Sequence, residues 1–144
     1  MSPDENYQRF LSVVNPYCTQ YDQAVRQRDE VVQAYPGHAH EIIETDENFN
    51  GTTAKLVSTI RPNDLVIALG GDGTKNAVAR AMLLKGGVML PIPGGNGNDF
   101  ERSLHGRGDW PTAKQLLEKG QPVNIHPIQV AIEGLGVLYA LNYF

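Results

Sequence analysis

The sequence has little cysteine, few basic residues and no long apolar segment, and each shortage excludes a class of protein. Its single cysteine, Cys18, has no partner within the chain, which favours a reducing, cytoplasmic environment over a disulfide-stabilised one. Because 12 Lys and Arg are outnumbered by 16 Asp and Glu, the net charge of −4 argues against a nucleic-acid partner. No run of about 18 apolar residues occurs, and the polar start MSPDENYQRF does not lead into a signal peptide.

What remains is typical of an ordinary globular domain. The chain has 144 residues, of which 41% are hydrophobic and 19% charged, enough to bury a single core. Glycine is the unusual component, because most of the 15 glycines fall in a few tight clusters. The positions of those clusters, relative to the predicted strands, carry most of the functional information.

Strands and helices are predicted to alternate along the first three quarters of the chain. The predicted strands are Phe10–Val14, Ala39–Thr45, Leu65–Leu69 and Val88–Ile92. The predicted helices are residues 19–34 with Thr19 as the cap, a segment from Asn50 to before Pro62, residues 77–84, and residues 110–119. Short, fully apolar strands between helices indicate a sheet covered on both faces. We therefore expect an α/β fold with an open, mostly parallel sheet and helices on both faces.

The end of the chain has a different pattern. Residues 123–132 and 137–144 are strand-like and flank Glu133–Gly136, which predicts a β-hairpin. We expect residues 1–122 to form the α/β domain and residues 123–144 to begin an incomplete second domain. The sequence stops within apolar strand-like residues, which predicts either a fragment or a homo-oligomer that covers the hairpin.

Two glycine clusters follow predicted strands directly. The first is Gly70–Thr74 and the second is Pro93–Phe100. Ligands of open α/β sheets bind at the carboxyl ends of the strands, where glycine lets backbone N–H groups approach a phosphate. Asp72 would hold Mg²⁺ through water or fix the loop, and Thr74 would cap the next helix or bind a phosphate oxygen. The alternative is a plain strand-to-helix turn, but two such clusters favour phosphate binding.

The run LVIALGGDGTKNAVARAM resembles the nucleotide-binding motif of diacylglycerol kinases, sphingosine kinases and related bacterial lipid kinases. GGDGT also occurs in NAD kinases, and a related GGDG in phosphofructokinases. The segment PIPGGNGNDFER is similar to the lipid-kinase pattern P-x-G-T-x-N-D-F-A-R and separates these families. VVNP, ETDE and ALNYF resemble further family segments in the same order along the chain.

This resemblance implies an ATP- and Mg²⁺-dependent kinase with a lipid substrate, such as diacylglycerol or a sphingoid lipid, at the membrane surface. In that family the α/β half binds ATP, and a following β-sandwich half supplies the catalytic base. The implied nucleotide site is Asn15, Thr45, Gly70, Gly71, Asp72, Gly73, Thr74, Asn76, Gly95 and Asn96. The resemblance assigns Asn98 and Asp99 to the phosphates, the acceptor or the metal network, with Asp72 as the candidate metal residue. No residue of this chain is a candidate for the base.

Several positions depart from the family pattern. Ala77 stands where the family has Glu, Asn96 where it has Thr, and Asn124 where it has Asp. The Asn-Pro motif is normally followed by a small Ser-Gly loop, whereas this chain has Tyr17-Cys18-Thr19. Losing two carboxylates weakens a magnesium network. One alternative is therefore a degenerate nucleotide-binding or regulatory module, and a further alternative is a NAD kinase or phosphofructokinase relative.

Overall fold

The computed structural model describes residues 7–47, 49–93, 109–119, 128–134 and 136–140. A parallel sheet in the order β2-β1-β3-β4 is built from β1 (Arg9–Val14), β2 (Ala39–Glu44), β3 (Asp64–Gly70) and β4 (Val88–Pro93). The helices are α1 (Tyr21–Ala34), α2 (Phe49–Thr59), α3 (Asp72–Lys85) and α4 (Trp110–Lys119). An antiparallel hairpin joins β5 (Ile128–Ile132) to β6 (Gly136–Ala140). This architecture confirms the predicted α/β fold with an open parallel sheet.

The helices cover the two faces of the sheet in pairs. On one face, α1 and α4 contribute Ala24, Val31 and Leu117 to a cluster with Phe10 and Ile67 of the central strands. On the other face, α2 and α3 contribute a second cluster, which includes Leu56, Ile60, Ala77, Val78 and Ala81. All residues of β1 and β3 are buried because these two central strands are covered on both sides. The continuous apolar run at Leu65–Leu69 is a consequence of this double burial.

The connections that leave β1 and β3 lie on opposite faces of the sheet and lead to strands on opposite sides of this central pair. The chain leaves β1 through α1 on one face to reach β2, and it leaves β3 through α3 on the other face to reach β4. Because β1 and β3 are neighbours, their carboxyl ends form the switch point at which the strand order reverses. Crevices at such points are where open α/β sheets bind ligands.

Two predicted helix starts are wrong. Helix α1 begins at Tyr21 with Gln20 as its N-cap, and no side chain caps it, so Thr19 is not the cap. Helix α3 begins at Asp72 rather than at Ala77, with Gly71 as its N-cap. Only Gly71 separates the end of β3 from the start of α3, so most of the first glycine cluster belongs to the helix itself.

A buried ion pair ties the strands together at the amino edge of the sheet. Arg9 of β1 donates from Nε to Asp64 of β3 at 2.9 Å, and the two side chains are 4% and 1% exposed. The same guanidinium donates to Glu41 at 2.7 Å and to the Thr59 carbonyl at 2.7 Å. With Arg9 and Asp64 directly paired in the strand register, this network fixes the alignment of three strands.

The hairpin of β5 and β6 confirms the predicted turn around Glu133–Gly136, where Gly134 takes a positive φ of 80°. Its strand β6 contacts α3. The predicted domain boundary at residues 122 and 123 lies outside the described residues and stays a prediction. In the part of the chain that the structure describes, no helix has the length and apolar character needed to cross a bilayer.

Candidate active site at the sheet switch point

Backbone hydrogen bonds bring three predicted site residues to one edge of the sheet. The Asn15 N–H donates to the carbonyl of Leu69 at the end of β3, at 3.0 Å. The Thr45 N–H donates to the carbonyl of Val14 at the end of β1, at 2.8 Å. Asn15 is therefore flanked by Thr45 on one side and by Gly70 on the other. The carboxyl ends of β2, β1 and β3 therefore lie side by side at the switch point.

Gly70 lies in close contact with the helix that follows it. A methyl group added to Gly70 would sit 2.8 Å from Cβ of Thr74 and closer still to its Oγ1. It would also sit 3.2 Å from Cβ of Asn15. Glycine is needed here because the Thr74 side chain and the β1 end both pack against its Cα. Asn15, Gly70 and Thr74 form one contact group, as the predicted nucleotide site requires.

The first turn of α3 is adjacent to this contact group, because Thr74 belongs to both. Gly71 caps the helix in an extended conformation, and its carbonyl accepts the N–H of Thr74 at 3.1 Å. Gly73 is exposed, and a methyl group added to it would meet no atom within 4 Å. The N-terminus of a helix carries partial positive charge, because no preceding turn supplies carbonyl partners for its first N–H groups. An anion can therefore approach the backbone here without meeting a side chain of Gly73.

The predicted capping role of Thr74 is wrong, and the departure at Ala77 has a structural reason. Thr74 does not cap α3, because it lies inside the first turn and is 7% exposed, with its hydroxyl against Gly70. Ala77 is 2% exposed and packs in the apolar cluster beneath α3. The family's Glu is thus replaced here by a residue that completes apolar packing. Asn76 lies about 200° around the helix from Thr74, so it does not join the contact group.

The loop from β1 to α1 forms a tight turn beside the switch point. The Asn15 side-chain oxygen Oδ1 accepts the N–H of Tyr17 at 2.9 Å, and the Asn15 carbonyl accepts the N–H of Cys18 at 3.2 Å. Together with the fixed φ of Pro16, these bonds hold the turn rigid. Asn15 therefore sets the position of the next three residues, a role that its strand-end position alone does not reveal.

Lys75 was not anticipated as a site residue and is completely buried. Burial raises the pKa of the Cys18 thiol, while a hydrogen bond from the Gln20 backbone and the positive charge of Lys75 partly offset that rise. The Lys75 ammonium thus acts electrostatically on the loop at the switch point. Sequence reasoning missed it because a lysine in an exposed-looking helical turn is ordinarily solvated.

Of the second glycine cluster, the structure describes only Pro93, which ends β4 and pairs with Gly70 in the strand register. The predicted site residues Gly95, Asn96, Asn98 and Asp99, and the departing residue Asn124, lie outside the described residues. Among the residues that are described, no group of three or more His, Cys, Asp and Glu side chains is arranged to hold a metal ion. Asp72, half-buried in the first turn of α3, supplies the carboxylate beside the contact group. One carboxylate suits a hydrated Mg²⁺ that is held largely by its own waters and by phosphate.

Comparison with known proteins agrees with this geometry. The family model for the diacylglycerol kinase catalytic domain matches residues 9–130. A solved diacylglycerol kinase from Bacillus anthracis str. Sterne is 26% identical, with a TM-score of 0.66, over 91% of this chain and 48% of that one. Two further structures from that organism, each of a candidate diacylglycerol kinase, are 25% identical, with TM-scores of 0.62 and 0.63 over 86% of this chain. No curated protein sequence matches.

The chain spans about half the length of these solved kinases, covering between 42% and 48% of them. The matched part includes β1, the whole parallel sheet and the switch-point contact group. The family match thus covers the residues that carry the candidate site as well as the fold, and we conclude that the chain belongs to the diacylglycerol kinase catalytic domain family.

Proposed function

We propose that this chain is the nucleotide-binding half of an ATP- and Mg²⁺-dependent lipid kinase that phosphorylates a lipid hydroxyl, as in diacylglycerol or a sphingoid lipid. The observation that carries the proposal is the contact group of Asn15, Gly70 and Thr74 at the switch point, next to the open N-terminus of α3. A crevice with these features suits the phosphates of a nucleotide.

The residues of the chain have separate tasks in this proposal. The backbone N–H groups at the start of α3 bind phosphate oxygens, and the missing side chain of Gly73 leaves them accessible. Thr74 fixes the distance between β3 and α3 by packing on Gly70, so it positions the crevice rather than contacting the ligand. Asp72 orients the waters of the metal ion. When bound, ATP supplies the phosphoryl group and Mg²⁺ offsets its charge.

The acceptor hydroxyl also requires a base, and Asp72 does not serve as that base here because the proposal assigns it to the metal ion. We propose that residues 123–144 begin a second domain, which supplies the base and the lipid pocket. The relatives that are about twice as long support this division. The predicted contacts of Gly95, Asn96, Asn98 and Asp99 with phosphate, acceptor or metal network belong to the same proposal.

A second candidate function is a module that binds nucleotide without turnover. Ala77 favours it, because this position is filled by apolar packing and provides no carboxylate. The match to the diacylglycerol kinase family speaks against the alternative of a NAD kinase or phosphofructokinase relative.

Calorimetric titration of the chain with ATP and ADP, with and without Mg²⁺, tests the proposal. We expect binding that strengthens with Mg²⁺, and an Asp72→Ala variant that loses the strengthening while keeping the fold. If the wild-type chain binds neither nucleotide, the proposed nucleotide site is wrong. Transfer of labelled phosphate from ATP to diacylglycerol, measured on a protein that includes the proposed second domain, then separates the kinase from the module, because only the kinase labels the lipid.

A further inference from the structure

An exposed aromatic side chain lies in the turn next to the proposed nucleotide site. Tyr17 is 71% exposed, although large aromatic side chains usually bury most of their surface. It occupies the rigid turn between β1 and α1, two residues after Asn15 of the contact group. An aromatic ring left in water at this position has no role in the core of the fold.

The turn holds Tyr17 in place before any ligand arrives. The bond from its N–H to the Asn15 side chain and the following bond from Cys18 N–H to the Asn15 carbonyl fix the backbone on both sides of the ring. A group that is already ordered loses little entropy when it binds, so its contacts contribute more to affinity. The same asparagine that borders the proposed phosphate site therefore also positions the backbone of Tyr17.

We propose that Tyr17 stacks on the base of the nucleotide whose phosphates lie at the start of α3, an inference that rests on the proposed function. Stacking on an aromatic ring uses the flat face that every nucleobase has, so Tyr17 would strengthen binding of ATP and GTP alike. It would not affect a ligand that consists of phosphates alone.

The competing role for Tyr17 is contact with a lipid surface, which the arrangement of the other exposed apolar residues does not favour. Leu83 and Leu84 lie at the end of α3, which runs away from the switch point to the amino edge of the sheet. Ile42 lies within β2, on the outer edge of the sheet. Membrane-binding surfaces gather several apolar or basic residues, and these side chains are not gathered around Tyr17.

Calorimetric titrations of Tyr17→Ala and Tyr17→Phe with ATP, GTP and inorganic tripolyphosphate, all with Mg²⁺, test this inference. We expect Tyr17→Ala to weaken ATP and GTP by about tenfold each, from the loss of one stacked base. Tyr17→Phe should retain both affinities, and tripolyphosphate should bind all three proteins equally. Leu84→Ala, which removes an equally exposed apolar side chain far from the site, is the matched control and should change nothing.

Each contrary result has a distinct meaning. Unchanged ATP binding in Tyr17→Ala overturns the inference, and equal weakening of tripolyphosphate would show that the residue acts only through loop geometry. Loss of co-sedimentation with phosphatidylglycerol vesicles, while ATP affinity stays the same, would assign Tyr17 to a membrane contact instead. If the wild-type chain binds no tripolyphosphate and no nucleotide, the proposed function itself fails, and this inference fails with it.

Discussion

Thr74 packs on Gly70 so closely that the Cα of Gly70 has no room for a side chain, with Cβ of Thr74 only 2.8 Å from where a methyl group would stand. We therefore expect Gly70→Ala to force β3 and α3 apart, because Thr74 is buried and the Cβ atoms that the methyl group meets are fixed to the backbone. Overpacking of this kind costs about 1–3 kcal/mol. Urea unfolding should show this loss, and ATP binding should fall with it.

Gly73→Ala provides the matched comparison within the same motif. A methyl group on Gly73 would meet no protein atom, so the free energy of unfolding should stay the same or rise slightly, as alanine favours helix over glycine. Its ATP affinity should nevertheless fall, because the methyl group occupies the approach to the helix N-terminus. Gly37→Ala, equally unobstructed but in the turn after α1, should change neither property. Full ATP affinity in Gly73→Ala would contradict the proposed phosphate position.

The pKa of Cys18 depends on the positive charge of Lys75. Since burial raises the pKa of Cys18 and Lys75 partly offsets this, Lys75→Met should raise that pKa further. Alkylation requires the thiolate, so its rate at neutral pH should fall in the variant, and the midpoint of the rate–pH profile should move to higher pH. Alkylation that is quenched at timed intervals and quantified by mass spectrometry gives both the rate at neutral pH and the midpoint of the profile. A midpoint that does not move would show that the Lys75 charge does not reach the thiol.

The free energy of unfolding should depend on the buried ion pair between Arg9 and Asp64 at the amino edge of the sheet. Replacing Arg9 by Met leaves the Asp64 carboxylate buried without its partner, which costs about 3–5 kcal/mol in comparable pairs. Lys55→Met breaks an exposed pair with Asp46 and should cost less than about 1 kcal/mol. Urea unfolding of the two variants gives the contrast, and similar losses in both would argue against the network as the main support of this edge.

Much of the fold could be predicted from the sequence, because local pattern and burial agree there. The apolar run Leu65–Leu69 predicted a strand buried on both faces, and the alternation of strands with helices predicted the open parallel sheet. The order of the strands was not predicted. Contacts between distant residues could not be predicted. The pairing of Arg9 with Asp64 joins residues 55 positions apart, and charged residues at strand ends usually face solvent.

The site was predicted by residue type, while its geometry needed the three-dimensional structure. The motif indicated which residues gather at the strand ends, and Asn15, Thr45 and Gly70 do so. It could not show that Thr74 is buried against Gly70 or that Lys75 is completely buried. Those outcomes depend on the angle at which α3 leaves β3, which one-dimensional spacing does not determine.

A buried glutamine offers a separate test of the packing between α1 and the sheet. The Gln27 side-chain oxygen is buried and finds no hydrogen-bond donor among the described residues. Because an unsatisfied buried acceptor costs about 1–3 kcal/mol, Gln27→Met should stabilise the fold in urea unfolding. Gln33→Met, the same substitution at an exposed position of α1, should have little effect. A clear loss of stability in Gln27→Met would show that the oxygen has a partner.

Amide NMR of the labelled chain titrated with MgATP tests most directly whether nucleotide binds where β1 and β3 end and α3 begins. We predict that the largest shifts occur at Asn15 and at Gly70–Asn76, while amides at the amino edge, such as Gln8, Asp64 and Gly86, stay unchanged. Shifts that gather at the amino edge, or a saturating titration that moves no switch-point amide, would contradict it.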